Sequence, residues 1–349
     1  MIREYIPVLL DDHDLTREQA EAAMVDIMTG QATPSQISAF LIGLQKKGET
    51  VEEITAIARV MRAFSRTVRP KVEGFLLDTC GTGGDRTKTF NVSTTAAFVI
   101  AATGVKVAKH GNRSFTSRCG SADVLERLGV NLEMEPALVE RSIEKIGIGF
   151  MFAPNFHPAM KIVASIRKEI GVRTVFNILG PLTNPAGANA QLIGVYDSEL
   201  LEPICLAASN LGSESVMTVH GLDGVDEIST LGRTVIVKHQ KGKTFREEVS
   251  PEDLGLDKTT QQMVLGGDPE QNARLTARIL SGSLKQDDPR VQIVAANAAA
   301  GLVLCEKAHD LRSGVELALE TMQGGKGFRI LRQLVELSGG NLHRIDNMA

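Results

Sequence analysis

The stretch DTCGTGGDRTKTFNVST, Asp78 to Thr94, decides how the rest of the chain is read. It places Gly81, Gly83 and Gly84 within four positions and then runs through hydroxyl side chains to Asn91 and Ser93. Before it stands the apolar run FLLDTC (75–80), which reads as a buried strand. After it come VSTTAAFVIAATG (92–104), which reads as a helix, and VKVAKHG (105–111), a second strand. Strand, glycine loop, helix and strand in that order predict a largely parallel sheet covered by helices. Ligands of such sheets bind beyond the strand C-terminal ends, where helix N-termini offer free N–H groups. The loop fits neither familiar phosphate template. Arg86 occupies the sixth position, where a dinucleotide fingerprint has glycine, and Thr87 precedes Lys88-Thr89, where a P-loop has glycine. From these residues alone a tight turn and a phosphate cradle are both open.

Further along, SADVLERLG (121–129) reads as a helix with Ser121 as its N-cap. QLIGVYD (191–197), LLEPICLAASNLG (200–212) and SVMTVHG (215–221) repeat strand, helix and strand. RTVIVKHQKGKTFREEVS (233–250) predicts two strands across a QKGK turn, an antiparallel hairpin at an edge, and three helices are expected to finish the chain.

The first seventy residues predict only helices. Thr16 with Gln19 and Thr50 with Glu53 form capping boxes. Thr33 caps a helix that has Pro34 at its first position, and Gly30 and Gly48 are stops. Helices this short need their apolar faces packed against a partner. SRTVRPKVEG (65–74) reads as a linker.

The 349 residues suit about two domains, and 43% hydrophobic with 23% charged residues is ordinary for a globular protein. A net charge of -4 offers no global basic field for nucleic acid or an anionic membrane. Cys80, Cys119, Cys205 and Cys305 are far apart with no metal-ligand spacing, which predicts reduced thiols and a cytoplasmic setting. The acidic N-terminus MIREYIPVLLDDHDLT lacks the apolar run of a signal peptide. VQIVAANAAAGLVLC (291–305) is too short to span a bilayer, carries Gln292 and Asn297, and reads as a buried helix.

Three more stretches bear on chemistry. VAKHGNRSFTSRCGSADVLERLG mixes Lys109, Arg113 and Arg118 with Asn112, Ser114, Thr116, Ser117 and Ser121, a set of donors suited to phosphate oxygens. HGLDGVDEIS holds the adjacent carboxylates Asp226 and Glu227 just past a predicted strand. One or two carboxylates together with substrate phosphates is the usual way of holding Mg²⁺. APNFHPAMKIVASIRKEIGVRTVFNILGPLTNPAG supplies Arg167 and Arg173, and its NILGPLTNP reads as a Gly/Pro-rich turn that is neither helix nor strand.

Taken together and in order, GTGGD, NVST, KHGNRS with GSADVLE, FHPAMK followed by GVRTVFNILGPLTNP, and VDE resemble the anthranilate phosphoribosyltransferase family, over nearly the whole chain. The resemblance implies an α/β protein with a small all-helical N-terminal domain (1–72) that dimerises, joined by a returning segment near 165–190. Residues 73–349 would form a larger α/β domain, a central mostly parallel sheet flanked by helices, that binds phosphoribosyl pyrophosphate. The implied reaction moves phosphoribose from that donor to the anthranilate amine with Mg²⁺ as cofactor. Gly81, Gly84, Asp85, Thr89, Asn91, Val92, Ser93 and Thr94 are implied on the pyrophosphate and ribose side. Lys109, His110, Gly111, Asn112, Arg113, Ser114, Thr116, Ser117 and Ser121 are implied to help hold the phosphates. Ser93, Asp226 and Glu227 would ligate Mg²⁺. Arg167, Gly81 and Asn112 would meet anthranilate, with His110, His157 and Pro181 along its route. No side chain is assigned as a dedicated acid or base. The sequence departs from the family pattern at Phe115, Thr116 and Cys119, where small residues or serine are commoner, and at Ser165, where proline is.

Two other functions share parts of this pattern. A pyrimidine nucleoside phosphorylase would have no need of Asp226-Glu227, and a non-catalytic nucleic-acid-binding relative would carry basic patches that the net charge disfavours. Whether a glutamine amidotransferase subunit of anthranilate synthase accompanies the chain is open at this level.

Overall fold

A computed structural model of the chain describes residues 1–83, 87–114, 118–346 and 348. Seven strands, β1 (Leu76–Gly81), β2 (Lys106–Gly111), β3 (Ile148–Phe152), β4 (Ala190–Gly194), β5 (Ser215–Gly221), β6 (Thr234–Gln240) and β7 (Lys243–Val249), form one sheet. Their spatial order is β3-β2-β1-β4-β5-β6-β7. The first five are parallel, and β6 and β7 continue the sheet antiparallel. β3, β4 and β5 are buried along their whole length, as parallel strands covered on both faces must be. The expected hairpin is present, with Gln240 paired to Lys243 across Lys241 and Gly242. Both turn residues have positive φ, 53° and 74°, the backbone that a two-residue hairpin turn demands.

The N-terminal helices follow their caps. Arg17–Met28, Pro34–Lys47 and Val51–Ala63 begin at Thr16, Thr33 and Thr50, each closed by a reciprocal capping box. A cap of this kind contributes about 1 kcal/mol. Their apolar faces supply Ile27, Phe40, Leu44, Ile54 and Ile57 to one buried cluster. The segment 161–182 returns to that cluster with Val163, Ile166, Phe176, Leu179 and Leu182. Arg62 reinforces the junction by donating to the carbonyls of Leu182 (2.6 Å) and Leu211 (3.0 Å).

Three expectations need correction. NILGPLTNP is not a turn throughout, because Phe176–Leu182 is helical with Pro181 inside. Pro181 sits in the last turn of a seven-residue helix, so it deletes a single bond, and Gly180 before it has no Cβ to clash with the proline ring. The helix Ser121–Arg127 is capped by Gly120, leaving Ser121 as its first residue. After the hairpin come four long helices instead of three, Pro269–Leu280, Pro289–Leu304, Leu311–Gln323 and Lys326–Leu337, preceded by the short Gln261–Val264. Pro289–Leu304 is the expected buried helix.

Candidate active site

The chain winds outward from β1 in both directions, through β2 and β3 on one side and β4 and β5 on the other. The C-terminal ends of β1 and β4 therefore flank the topological switch point, where open α/β sheets bind ligands. The Asp226-Glu227 loop after β5 folds back over this point. Gly194 ends β4 directly beneath it, and a Cβ there would stand 1.6 Å from the Asp226 carbonyl oxygen. A Cβ on Gly81, at the end of β1, would stand 2.8 Å from Asp226 Oδ2. Both strand ends are glycine because the carboxylate loop rests on bare backbone.

The helix Val92–Ala102 starts at the same place. The Ser93 N–H, in its first turn, donates to Glu227 Oε1 at 3.2 Å, so the positive end of the helix faces that carboxylate. Below lies Lys109 of β2, only 2% exposed, which donates to the Thr79 carbonyl and approaches Ser93 Oγ at 3.5 Å. Burial pushes the Lys109 amine down and the Asp78 carboxyl up, each opposed by the other's charge. Asp78 Oδ1 also accepts the His110 N–H at 3.2 Å. Asp226, Glu227 and the Ser93 hydroxyl make a small hard-oxygen donor set. That set fits Mg²⁺, which keeps most of its shell for water and substrate oxygens. Among the described residues no group of three or more His, Cys, Asp or Glu is placed to hold a metal.

The loop after β2 packs on its own helix. Gly111 lies against Ser121, whose hydroxyl donates to the Asn112 carbonyl at 3.3 Å. Asp123 accepts the N–H groups of Ser114 (3.0 Å) and Gly120 (2.9 Å). Arg113 forms a bidentate pair with Glu126, both bonds 2.9 Å, and reaches Asp123 at 3.0 Å. These hydrogen bonds hold its guanidinium well above the usual range. In this structure the Arg113 charge is thus engaged by carboxylates of the following helix. Gly84, Asp85, Thr116 and Ser117, expected at the phosphates, lie outside the described residues.

His110 and His157 face each other with ring centroids 5.2 Å apart. His157 Nε2 donates to the Thr183 carbonyl at 3.0 Å, which leaves Nδ1 as the ring's lone-pair nitrogen. Burial, with the neighbouring His157, pushes His110 down to about 3, and burial pushes His157 down to about 4. Both rings are therefore neutral near pH 7. The Pro181 carbonyl accepts from Gln191 of β4 at 2.8 Å, fixing the helix end beside the sheet. Arg167, on the helix Lys161–Ile170, is half-buried with its guanidinium 5.6 Å from the Phe176 ring centre. Arg173 stacks 3.9 Å over Tyr196, at a cavity of about 310 Å³ that Asp197, His220 and Asp223 also line. Val92 and Thr94 point into the core at 1% exposure, and Thr89 bridges to Leu265.

Two features escape a reading by motif. Asn297, fully buried in Pro289–Leu304, accepts the Ile228 N–H at 2.8 Å and donates to the carbonyls of Ile228 and Ile293, both at 2.9 Å. It grips the backbone immediately after Glu227. The segment 261–267 runs beside the glycine loop: Gly266 N donates to Lys88 O at 2.9 Å, and Gln261 Nε2 to Thr87 O at 3.3 Å. An asparagine inside an alanine-rich helix was the one available signal, since a buried amide has to find partners.

Comparison with known proteins assigns this sheet and its carboxylate loop to a transferase of the glycosyl transferase type. Residues 73–328 match the model of a glycosyl transferase family α/β domain, and residues 3–65 match that family's helical bundle domain. The chain belongs to the anthranilate phosphoribosyltransferase family. A protein of that name from Symbiobacterium thermophilum is 51% identical over 328 residues, covering 93% of this chain and 94% of its own. One from Methanococcoides burtonii is 47% identical over 348 residues, 100% of this chain and 97% of its own. The crystal structure of the Thermus thermophilus enzyme superposes with a TM-score of 0.89 at 43% identity, over 96% of this chain and 99% of that one. The Saccharomyces cerevisiae enzyme, in complex with phosphoribosyl pyrophosphate (PRPP) and Mg, gives 0.89 at 29% identity, over 97% and 98% of the two chains.

Proposed function

We propose that this chain transfers the phosphoribosyl group of PRPP to the amine of anthranilate, releasing pyrophosphate, as a step in tryptophan biosynthesis. One observation carries the reading: Asp226, Glu227, Ser93 and Lys109 converge at the β1/β4 switch point beside the glycine loop. The anomeric carbon gains oxocarbenium character as pyrophosphate leaves, so the barrier depends on charge building on the departing oxygens. Asp226, Glu227 and Ser93 would hold Mg²⁺, which when bound neutralises part of that charge. The N–H groups at the start of Val92–Ala102 and the buried Lys109 supply fixed positive ends for the same oxygens. Arg113 would exchange Glu126 for a phosphate. Arg167 would pair with the anthranilate carboxylate, and the neutral His110 and His157 would line the approach with Pro181. The aromatic amine is already uncharged, so positioning does the remaining work, with no dedicated base.

The domain division at 72/73 with a return near 165–190, and a homodimer formed through the helical part, belong to the same reading. Exposed Leu10, Val25 and Ile42 on that part support the dimer. Among the described residues no helix is long and apolar enough to cross a membrane. A cytoplasmic setting belongs to the same reading, and the four free cysteines support it. The deciding assay follows the loss of anthranilate fluorescence with PRPP and Mg²⁺, beside uridine or thymidine with inorganic phosphate. Turnover in the first mixture alone is expected. Turnover confined to the nucleoside mixture would overturn the proposal in favour of a phosphorylase.

A further inference from the structure

Two polar rungs tie the helix behind the glycine loop to the helix Pro269–Leu280. Asn272 Nδ2 donates to Asn91 Oδ1 at 3.0 Å, and one turn further the hydroxyls of Thr95 and Thr276 meet at 3.1 Å. Each helix contributes residues four apart, so both rungs lie on facing stripes. The first rung continues into backbone at both ends. Gly267 N–H donates to Asn272 Oδ1 at 2.7 Å, and Asn91 Nδ2 donates to the Cys119 carbonyl at 3.1 Å. One end of this chain is an N–H and the other a C=O. Neither amide can therefore be reversed without setting donor against donor or acceptor against acceptor. Asn272 is 3% exposed. Amides aligned head to tail in a buried place polarise one another, so the chain acts as a unit.

The segment that leads into this helix meets the end of the glycine loop by a second route. Thr89 bridges to Leu265, and Phe90 N donates to Val264 O at 3.3 Å. The Cys119 carbonyl belongs to the loop after β2, so the Asn272–Asn91 rung joins the two loops assigned to the phosphates. We infer that Asn272 is a positioning residue for PRPP. It fixes the orientation of the Asn91 amide and, through Asn91, clasps the second phosphate loop to the first. The inference rests on the proposed reaction for its substrate, and on the hydrogen bonds alone for the clasp.

Asn272→Asp is the discriminating variant. It keeps the shape and the acceptor for Gly267 N–H, and loses the donor to Asn91. Asn91 must then turn its own donor toward the new carboxylate, which sets Asn91 Oδ1 against the Cys119 carbonyl and opens the second loop. The Michaelis constant for PRPP is expected to rise about tenfold, the loss of one buried hydrogen bond. That for anthranilate stays unchanged. Without any substrate, amide exchange in the peptide containing Cys119 to Ala122 accelerates. Asn272→Ser, too short to reach Asn91, repeats both effects should the aspartate variant fold poorly. A lower melting temperature with both Michaelis constants and the exchange unchanged would show an ordinary packing residue and overturn the inference, as would an equal rise for both substrates. Should the wild-type enzyme consume no anthranilate, the proposed reaction falls, and the exchange measurement still decides the clasp.

Discussion

At the scale of single residues, burial decides which groups carry charge. Arg167 is half-buried and burial pulls its guanidinium below its usual range, which favours pairing with an anion over facing water. A planar fork matches a benzoate-type carboxylate. Arg167→Ala should raise the Michaelis constant for anthranilate by about 10- to 100-fold, the worth of a charge-assisted pair, with little change for PRPP. Equal effects on the two constants would remove Arg167 from the acceptor site. The histidine pair makes a separate prediction. The ordinary value is 6.5, and the folded values are lower, about 3 for His110 and about 4 for His157. As pH falls the unfolded chain takes up these protons first. Their contribution is complete above about pH 6.5 and declines toward pH 4, by about 1.4 kcal/mol per pH unit for each ring. Urea midpoints between pH 7.5 and 5 should show that fall, and His157→Asn should flatten it.

At the scale of elements, strands end where the site needs bare backbone. Gly194→Ala places a methyl group inside the space of the Asp226 carbonyl, so the carboxylate loop must shift while β4, paired on both sides, holds. A displacement of about 1 Å at reacting groups costs on the order of 10²-fold in rate. Turnover should fall by about that factor, with the circular dichroism unchanged and the Mg²⁺ requirement raised. Normal kinetics would mean that the loop does not set the metal ligands. Much of this architecture was legible. Thr16, Thr33 and Thr50 announced their helices because caps are local chemistry, and the alternation of strand and helix announced the sheet. β3 went unread because IGFMF is a short apolar run with no alternation to separate strand from helix. The helix through Pro181 was missed because a proline near a helix end removes one bond at most, which turn chemistry overstates. Of the site, the motif residues could be named. The roles of Asn297 and Asn272 could not, since each acts on a group distant in the chain, Asn297 on backbone 69 positions away and Asn272 on the Asn91 side chain 181 positions away.

At the scale of the whole molecule, two apolar clusters meet along the sheet. One is formed by the N-terminal helices, the segment 161–182, the helix Leu201–Asn210 and one face of β4, β5 and β6, and the other by the remaining helices around β1, β2 and β3. A ligand that fills the switch point touches loops anchored in both, and so stabilises the folded chain as a whole. PRPP with Mg²⁺ at about a hundred times its dissociation constant should add about 2.7 kcal/mol, a rise of about 4 °C in melting temperature. Either component alone should give clearly less, and a scanning-fluorimetry comparison reads the difference. The long reach of Asn272 and Asn297 has a consequence for synthesis. Both phosphate loops leave the ribosome early, by residue 120 of the 349, whereas the amides that hold them and the carboxylate loop emerge in the final quarter. Chains are made at about 5–20 residues per second, with N-terminal parts folding first. For roughly ten to forty seconds at those rates, the nascent protein therefore holds its substrate loops without their fasteners. On the proposed reading, a product that ends before Pro269 should bind PRPP far more weakly than the full chain, which a direct binding measurement checks.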